Sequence, residues 1–446
     1  MPGGRDSKET KLVQLQACPE AFLRRRPMRK TIVIVGTLDT KADEVRYIAD
    51  LITNRGHRTL IIDPGILGQV PFKPDVTREQ VAEAAGTSLD QVTSLGDEGE
   101  AIQVMARGTW NVVQGLYSSG EMDGIVVLGG SMGTSLGLPV LGQLPLLMPK
   151  LMVSTVAHTQ IISTEAVSAD LTVMPTVADI WGLNRITKRV LQNAAGAISG
   201  MVESYSREEE SGKPLVGLPT LGSAALTYVP LIKPLLEEKG YEVAVFHTNG
   251  MGGRVFEQFV ESGVFTGALD LSMQELAGQV CNGSNPVSRL EAATKRALPQ
   301  VVAPGAVDWF CHFGSLKTLP AQYGSRTIHM HNPQVAEIKT SREEKVSLGA
   351  TMADRINRAL GPTIVLLPAA GISDRDKPGG VFFDPEGRNA MMEVLKENLD
   401  PRIEVRELDM HINDPDFSRE AVAAFQKVID TASASDQVPA AKWENA

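Results

Sequence analysis

Short β-branched runs alternate with helical stripes along most of this chain. Thr31-Ile-Val-Ile-Val35 has the length and uniform hydrophobicity of a strand buried on both faces. Gly36-Thr-Leu-Asp-Thr40 follows as a tight loop. A helix is predicted from near Lys41, with Val45, Ile48, Ala49 and Ile52 at i, i+3, i+4 and i+7. Gly56 ends it, and Thr59-Leu-Ile-Ile62 is the next strand, so the segment reads as a right-handed βαβ unit with parallel strands. The pattern returns after Lys213. Leu215-Val-Gly217 is a strand, Pro219-Thr-Leu-Gly-Ser223 a loop, 224–239 a helix closed by Gly240, and Glu242-Val-Ala-Val-Phe246 a strand.

The expected fold is α/β, with two Rossmann-like doubly wound domains built on mainly parallel sheets. Their bounds are 29–205 and 214–432, joined by a polar linker at 206–213. Residues 1–28 and 433–446 read as a disordered extension and tail. The two units are either duplicates or alike because βαβ units resemble each other. Between them come a helix near 98–119, the strand Gly124-Ile-Val-Val-Leu128, a strand near 151–155 and a helix over about 185–204. The second half continues with strands near 268–271, 300–303, 326–330, 363–367 and 403–407. Its further helices fall near 254–262, 288–297, 341–359, 386–398 and 417–430.

Length and composition add limits. At 446 residues the chain exceeds one ordinary core, which agrees with two domains. The net charge of −10 argues against a nucleic-acid surface, which needs clustered Lys and Arg. Three dispersed cysteines (Cys18, Cys281, Cys311) form neither a disulfide framework nor a zinc ribbon and suit a reducing cytoplasm. The uncharged run Gly124 to Pro149 is broken by glycines and prolines. It reads as strand, loop and buried helix rather than a membrane span.

Two strand-to-helix loops carry the candidate chemistry. Ligands of open α/β sheets lie beyond the carboxyl ends of strands, where helix N-termini aim amide groups at anions. One loop is Gly36-Thr37-Leu-Asp39-Thr40-Lys41, and the other is Gly129-Gly130-Ser131-Met-Gly133-Thr134. The second packs three glycines and two hydroxyls into six positions, which suits a nest of amides around a phosphate or simply a tight turn. Lys41 falls in the first helical turn, where a cation opposes the helix dipole unless an anion binds there. Asp39 is a candidate Mg²⁺ ligand or a helix cap. Neither loop is a G-x-x-x-x-G-K-[ST] P-loop, and no G-x-G-x-x-G stands at a strand end. Asp179-Ile-Trp-Gly-Leu-Asn184 precedes a helix holding Asn193-Ala-Ala-Gly-Ala-Ile198. Asn184 reads as its N-cap, and the small residues suit close helix packing or a flat ligand.

These motifs resemble the ATP-binding domain family of the tomato mosaic virus resistance protein. The likeness runs from about Thr31 to Phe417. Further matches are Asn193-Ala-Ala-Gly-Ala-Ile-Ser-Gly-Met201, Gly240-Tyr-Glu-Val, Pro304-Gly-Ala-Val-Asp308, His331-Asn-Pro333 and His411-Ile-Asn-Asp-Pro415. The resemblance implies two Rossmann-like domains, ATP with Mg²⁺ in the first, and homodimers. In the plant protein the domain acts by binding a viral replication protein. On this likeness Ser154, Asp179 and Asn184 join the cofactor-binding set. The chain departs from the family at Val156-Ala-His-Thr-Gln160, His247-Thr-Asn-Gly-Met-Gly-Gly253, Gly278-Gln279 and Lys339-Thr340. These departures leave the motifs of the first site mostly intact and alter those of the second domain.

In the second domain His247, Asp308, His331, Asp374 and His411 all fall at or just beyond predicted strand ends, where proton transfer could be served. His247, Asp308 and His331 are the catalytic candidates. His329 and His331, two apart on a strand, are expected to share a face as a metal pair would. Gly250-Met-Gly-Gly253 with Arg254 offers an anion site. Three functions stay open: an ATP/Mg²⁺-binding protein, a metabolic enzyme acting on a small carboxylate or phosphorylated metabolite at the second sheet's edge, and a protein-interaction module without turnover. The expected partners are ATP and a small molecule or protein, with neither nucleic acid nor membrane.

Overall fold

The structure, a computed structural model, describes residues 29–159, 161–162, 167–206, 212–222, 225–283 and 289–434. The expected N-terminal extension, most of the linker, Ser223 and nearly all of the tail lie outside these residues.

The first sheet contains β1 (Thr31–Val35), β2 (Arg58–Ile62), β3 (Gly124–Gly129), β4 (Lys150–Ser154) and β5 (Thr172–Pro175). All pairings are parallel, in the order β2-β1-β3-β4-β5. Its helices are α1 (Leu38–Asn54), α2 (Arg78–Ala84), α3 (Leu89–Thr93), α4 (Glu98–Ser118), α5 (Ser131–Gly142) and α6 (Arg185–Ser204). Alternate strand residues feed two cores, as the period of two requires. Ile32, Ile34, Val126 and Val153 pack against α1 and α6 on one face. Val33, Val35, Ile125 and Met152 pack against α2, α4 and α5 on the other. Val45, Ile48, Ala49 and Ile52 are all buried, so the stripe read from sequence is the face α1 turns to the sheet. The apolar run 124–149 is β3, α5 and a loop, and no helix among the described residues is long and apolar enough to cross a membrane.

The second half supplies β6 (Leu215–Thr220), β7 (Glu242–His247), β8 (Gly267–Asp270), β9 (Gln300–Val302), β10 (Trp309–Phe313), β11 (Ile328–Asn332), β12 (Val335–Lys339), β13 (Thr363–Pro368) and β14 (Glu404–Leu408). Its helices are α7 (Val229–Glu238), α8 (Met251–Ser262), α9 (Gln274–Asn282), α10 (Arg342–Asn357), α11 (Pro385–Asn398) and α12 (Pro415–Ala434). Six strands form a parallel sheet in the order β14-β13-β9-β8-β6-β7. Read from the β7 edge, the chain visits positions second, first, third, fourth and onward. That is the winding of the first sheet with one strand more.

Several expectations are corrected. The strand near 326–330 exists as β11, but it belongs to a separate antiparallel sheet, β10-β12-β11, and β10 and β12 were not foreseen. The segment 219–220 is strand, since β6 runs to Thr220 and pairs with β7 along its length. The helix expected over 224–239 begins at Val229, with Pro230 in its first turn, where a missing N–H costs nothing. In place of a helix at 288–297, the described residues hold one short 3₁₀ turn at Ala292–Thr294. Glu257 accepts the amides of Leu290 and Ala292 at 2.7 and 2.9 Å, so those donors are satisfied without helix bonds.

Candidate functional site

From β1 the chain turns to β2 on one side, and it later returns to β3 on the other. The carboxyl ends of β1 and β3 therefore flank the first sheet's topological switch point, where such sheets open a crevice. The two glycine- and threonine-rich loops stand at these ends.

At the end of β3, a Cβ on Gly129 would come within 2.6–2.7 Å of the Gly133 and Thr134 backbone, so only glycine lets α5 start this close to the strand. Gly130 precedes α5 without any side-chain cap, and Ser131 in the first turn is exposed. Thr134 and Ser154 are both fully buried, and their hydroxyls bond each other at 2.7 Å. They tie α5 to the end of β4 and so set the shape of the loop from behind. Ser154 Oγ also accepts the Val156 amide at 3.1 Å.

At the end of β1, the Thr37 and Thr40 hydroxyls lie 3.1 Å apart at the surface, and Thr37 caps no amide with its side chain. Asp39 Oδ2 accepts the Leu67 amide at 2.9 Å, which pins the loop after β2 against α1. Asp63, just past β2, was missed by sequence reading. Fully buried, it accepts the amides of Leu38 and Gly65 at 3.0 and 2.9 Å and a two-pronged contact from Arg78 at 3.0 and 3.1 Å. A charged residue directly after a β-branched run was the available signal.

Lys41 neither points into water nor stands in regular helix. Its backbone departs from α geometry (φ −129°, ψ 20°), and its ammonium donates to the Ile180 carbonyl. The same ammonium lies 5.4 Å from the centre of the Trp181 ring. One turn on, buried Glu44 accepts the Gly182 amide at 2.6 Å. Helix α1 thus carries the segment 179–184 on two side chains. Asp179 is exposed, and Asn184 caps α6 by accepting the amides of Ile186 and Thr187, as read from sequence. Ala194 and Ala195 are buried in the core shared with α1, the packing role of their small side chains.

In the second domain Asp308 and His411 meet at the loop after β13, and His247 stands apart from them. Ser373 Oγ donates to Asp308 Oδ2 at 2.8 Å, while Asp308 Oδ1 is buried without a partner. Burial, and then the nearby Asp376 carboxylate, push the Asp308 carboxyl up to about 8. His411 Nδ1 accepts the Asn413 amide at 3.1 Å, so Nε2 carries the hydrogen and donates to the Ser373 carbonyl at 2.9 Å. Both ring nitrogens are committed, which makes this histidine a brace. His331 faces Glu337 at 3.6 Å, and Glu337 in turn takes Arg375 Nε at 3.1 Å. His247 stands exposed at the end of β7, beside Gly222. His329 is the cross-strand partner of Glu337 and His331 reaches the same carboxylate, so the two histidines keep to one face although the register of β11 shifts between Met330 and Asn332. No group of three His, Cys, Asp or Glu among the described residues is placed to hold a metal ion.

The anion site expected at Gly250–Gly253 is already filled from within. Glu275 Oε1 accepts the Gly250 and Gly253 amides at 2.6 and 3.1 Å, and a Cβ on Gly253 would overlap its carboxylate. Behind it, fully buried Arg289 contacts Glu275 at 3.1 Å, Asp270 at 2.5 Å and Glu257 at 3.2 Å. Burial pushes all three carboxyls above their ordinary range, and the guanidinium opposes that rise.

The fold defines a two-domain, doubly wound α/β protein whose first sheet has its topological switch point between β1 and β3. The chain belongs to the uncharacterised protein family UPF0261, whose N-terminal domain matches residues 30–207 and whose C-terminal domain matches 213–429. A UPF0261 protein of Brucella suis is 38% identical over 89% of this chain and 95% of its own length, and one from Clostridium tetani is 36% identical over 90% and 99%. The ToMV resistance protein Tm-1(GCR237) of Solanum lycopersicum is 32% identical over 89% of this chain, which covers 55% of that protein. Among solved structures, the glycosyltransferase SnogD from Streptomyces nogalater aligns with 89% of this chain and 99% of its own at 12% identity. Its TM-score of 0.17 carries no argument.

Proposed function

We propose that the N-terminal domain binds ATP with Mg²⁺ at the switch point between β1 and β3. The observation that carries this reading is the placement of two hydroxyl-bearing βα loops, 36–41 and 129–134, whose own N-cap residues Thr37 and Gly130 cap no amide through a side chain, on the two sides of that one crevice. The residues present fit a polyphosphate. The α5 N-terminus begins after Gly130 with no side-chain hydrogen bond capping it, and amides there carry partial positive charge. Gly129, Gly130, Ser131 and Gly133 form that wall, shaped from behind by Thr134 and Ser154. Gly36, Thr37 and Thr40 form the opposite one, and Lys41 is the cation at its end. Asp39 supplies the carboxylate Mg²⁺ prefers beside phosphate oxygens. ATP would bring its own phosphoanhydride chemistry, and this chain's residues would bind and orient it.

Thermal unfolding with and without Mg-ATP tests the reading. Ligand at about 100 times its dissociation constant adds roughly 2.7 kcal/mol, or about 5–10 °C for a domain of this size. A wild-type shift of that size, largely lost in Lys41→Ala, is the expected result. No shift in the wild type ends the proposal.

A second reading, an enzyme acting on a small carboxylate or phosphorylated metabolite, draws on Asp308. A buried carboxyl raised to about 8 is a proton donor at neutral pH, and its Oδ1 has no partner. Turnover of such a compound by the wild type and its loss in Asp308→Asn would favour this reading.

A further inference from the structure

The two most exposed large hydrophobic side chains among the described residues stand four positions apart in one segment, Val177 at 81% and Trp181 at 78%. This segment is tightly held. Val177, a β-branched residue, adopts φ +64°, a conformation that persists only when its surroundings enforce it. The enforcement is visible on both sides. Ala178 N–H turns back to the Thr176 carbonyl at 2.7 Å, and the Ile180 side chain is buried. The Ile180 carbonyl takes the Lys41 ammonium, the Gly182 amide is held by Glu44, and the Gly182 carbonyl accepts from Thr187 Oγ1 at 3.0 Å. An indole is therefore presented to solvent on a fixed backbone. The Lys41 ammonium, in the loop at the end of β1, lies beside it.

Presenting a large ring this way has a recognisable use. Aromatic side chains offer a face to planar rings, and stacking tolerates any base because every base has a π surface. A cation beside the ring adds a contact for a negative group on the same ligand. We propose that Trp181 is the platform on which the heteroaromatic ring of the bound nucleotide stacks, while Lys41 turns from the Ile180 carbonyl to its phosphates. This rests on the nucleotide reading above and adds a specificity-determining residue to it. The site selects phosphorylated compounds that carry an aromatic ring over bare polyphosphates and sugar phosphates. Because Lys41 is also a tether of 179–184, phosphate capture and the position of Trp181 are coupled.

The test compares the full-length wild type, Trp181→Ala and Trp181→Phe by calorimetric titration with Mg-ATP and with Mg-tripolyphosphate, which has no ring. Trp181→Ala is expected to weaken ATP about tenfold or more, to leave tripolyphosphate unchanged, and to keep the ligand-free melting temperature. Trp181→Phe is expected to retain most of the ATP affinity. If the wild type binds both ligands and Trp181→Ala weakens both equally, or neither, the platform assignment is wrong and the nucleotide reading stands. If the wild type binds neither ligand, both fall. If Trp181→Ala leaves ATP binding intact but lowers the mass of the assembly in sedimentation, the ring covers a second copy of the chain, and the proposal is overturned.

Discussion

Asp308 shows how far a single buried residue can set the behaviour of a domain. Its carboxyl is raised by burial and by Asp376, with Lys345 partly opposing, so the folded chain keeps a proton that the unfolded chain loses near pH 4. The stability contributed by that proton is fully present below pH 4 and is lost as pH rises through about 8. Between those limits stability falls with rising pH. Urea unfolding of Asp308→Asn is expected to flatten this decline between pH 5 and 8, and a slope equal to the wild type's would refute the assignment. At this scale the sequence was only partly readable. Asp308, His331 and His411 were singled out by their positions after strands. That His411 is a brace follows from Asn413 and Ser373, residues near it only in the fold. Glu275 reads as an ordinary helix residue until it is seen closing the α8 N-terminus.

At the level of elements, the loop at the end of β3 is the most demanding joint. Gly129→Ala places a methyl group 2.6 Å from the Gly133 backbone, so the first turn of α5 must move. We expect a loss of about 1–3 kcal/mol in urea unfolding together with loss of the Mg-ATP melting shift. Alanine tolerated with an unchanged shift would mean that the start of α5 does not shape the site. Elements with a clean apolar period were legible. The strand at Thr31–Val35 and the helix at Arg185–Ser204 lie where the pattern put them, since a buried strand and an amphipathic helix write their own period. Elements with polar residues breaking the run were not. The strands β10 and β12 are as long as β1, but His312 and Glu337 interrupt them, and they gain their order from pairing with each other. The helix expected at 288–297 failed because Glu257, more than thirty positions earlier, claims its amides.

On the scale of the molecule, the two sheets build separate main cores, and the second domain encloses a charge cluster around Arg289. Arg289 is the common partner of Glu257, Asp270 and Glu275, all removed from water. Arg289→Met leaves three buried carboxyls without their cation, a loss of about 3–5 kcal/mol. It is expected to lower the second domain's unfolding transition while the Mg-ATP shift of the first persists. Loss of both together would show that the domains unfold as one unit. The winding common to the two sheets, hinted at by Gly56 and Gly240 closing equivalent helices, became visible only with strand order. By itself the sequence determined the βαβ alternation, the domain class and the loops that reach the switch point, because local period and glycine placement act within a few residues. The tertiary structure alone decided which polar groups are free. Lys41 was turned to Ile180, Glu275 filled an amide nest, and Trp181 was left bare, because those outcomes depend on partners far away in the chain and close in space.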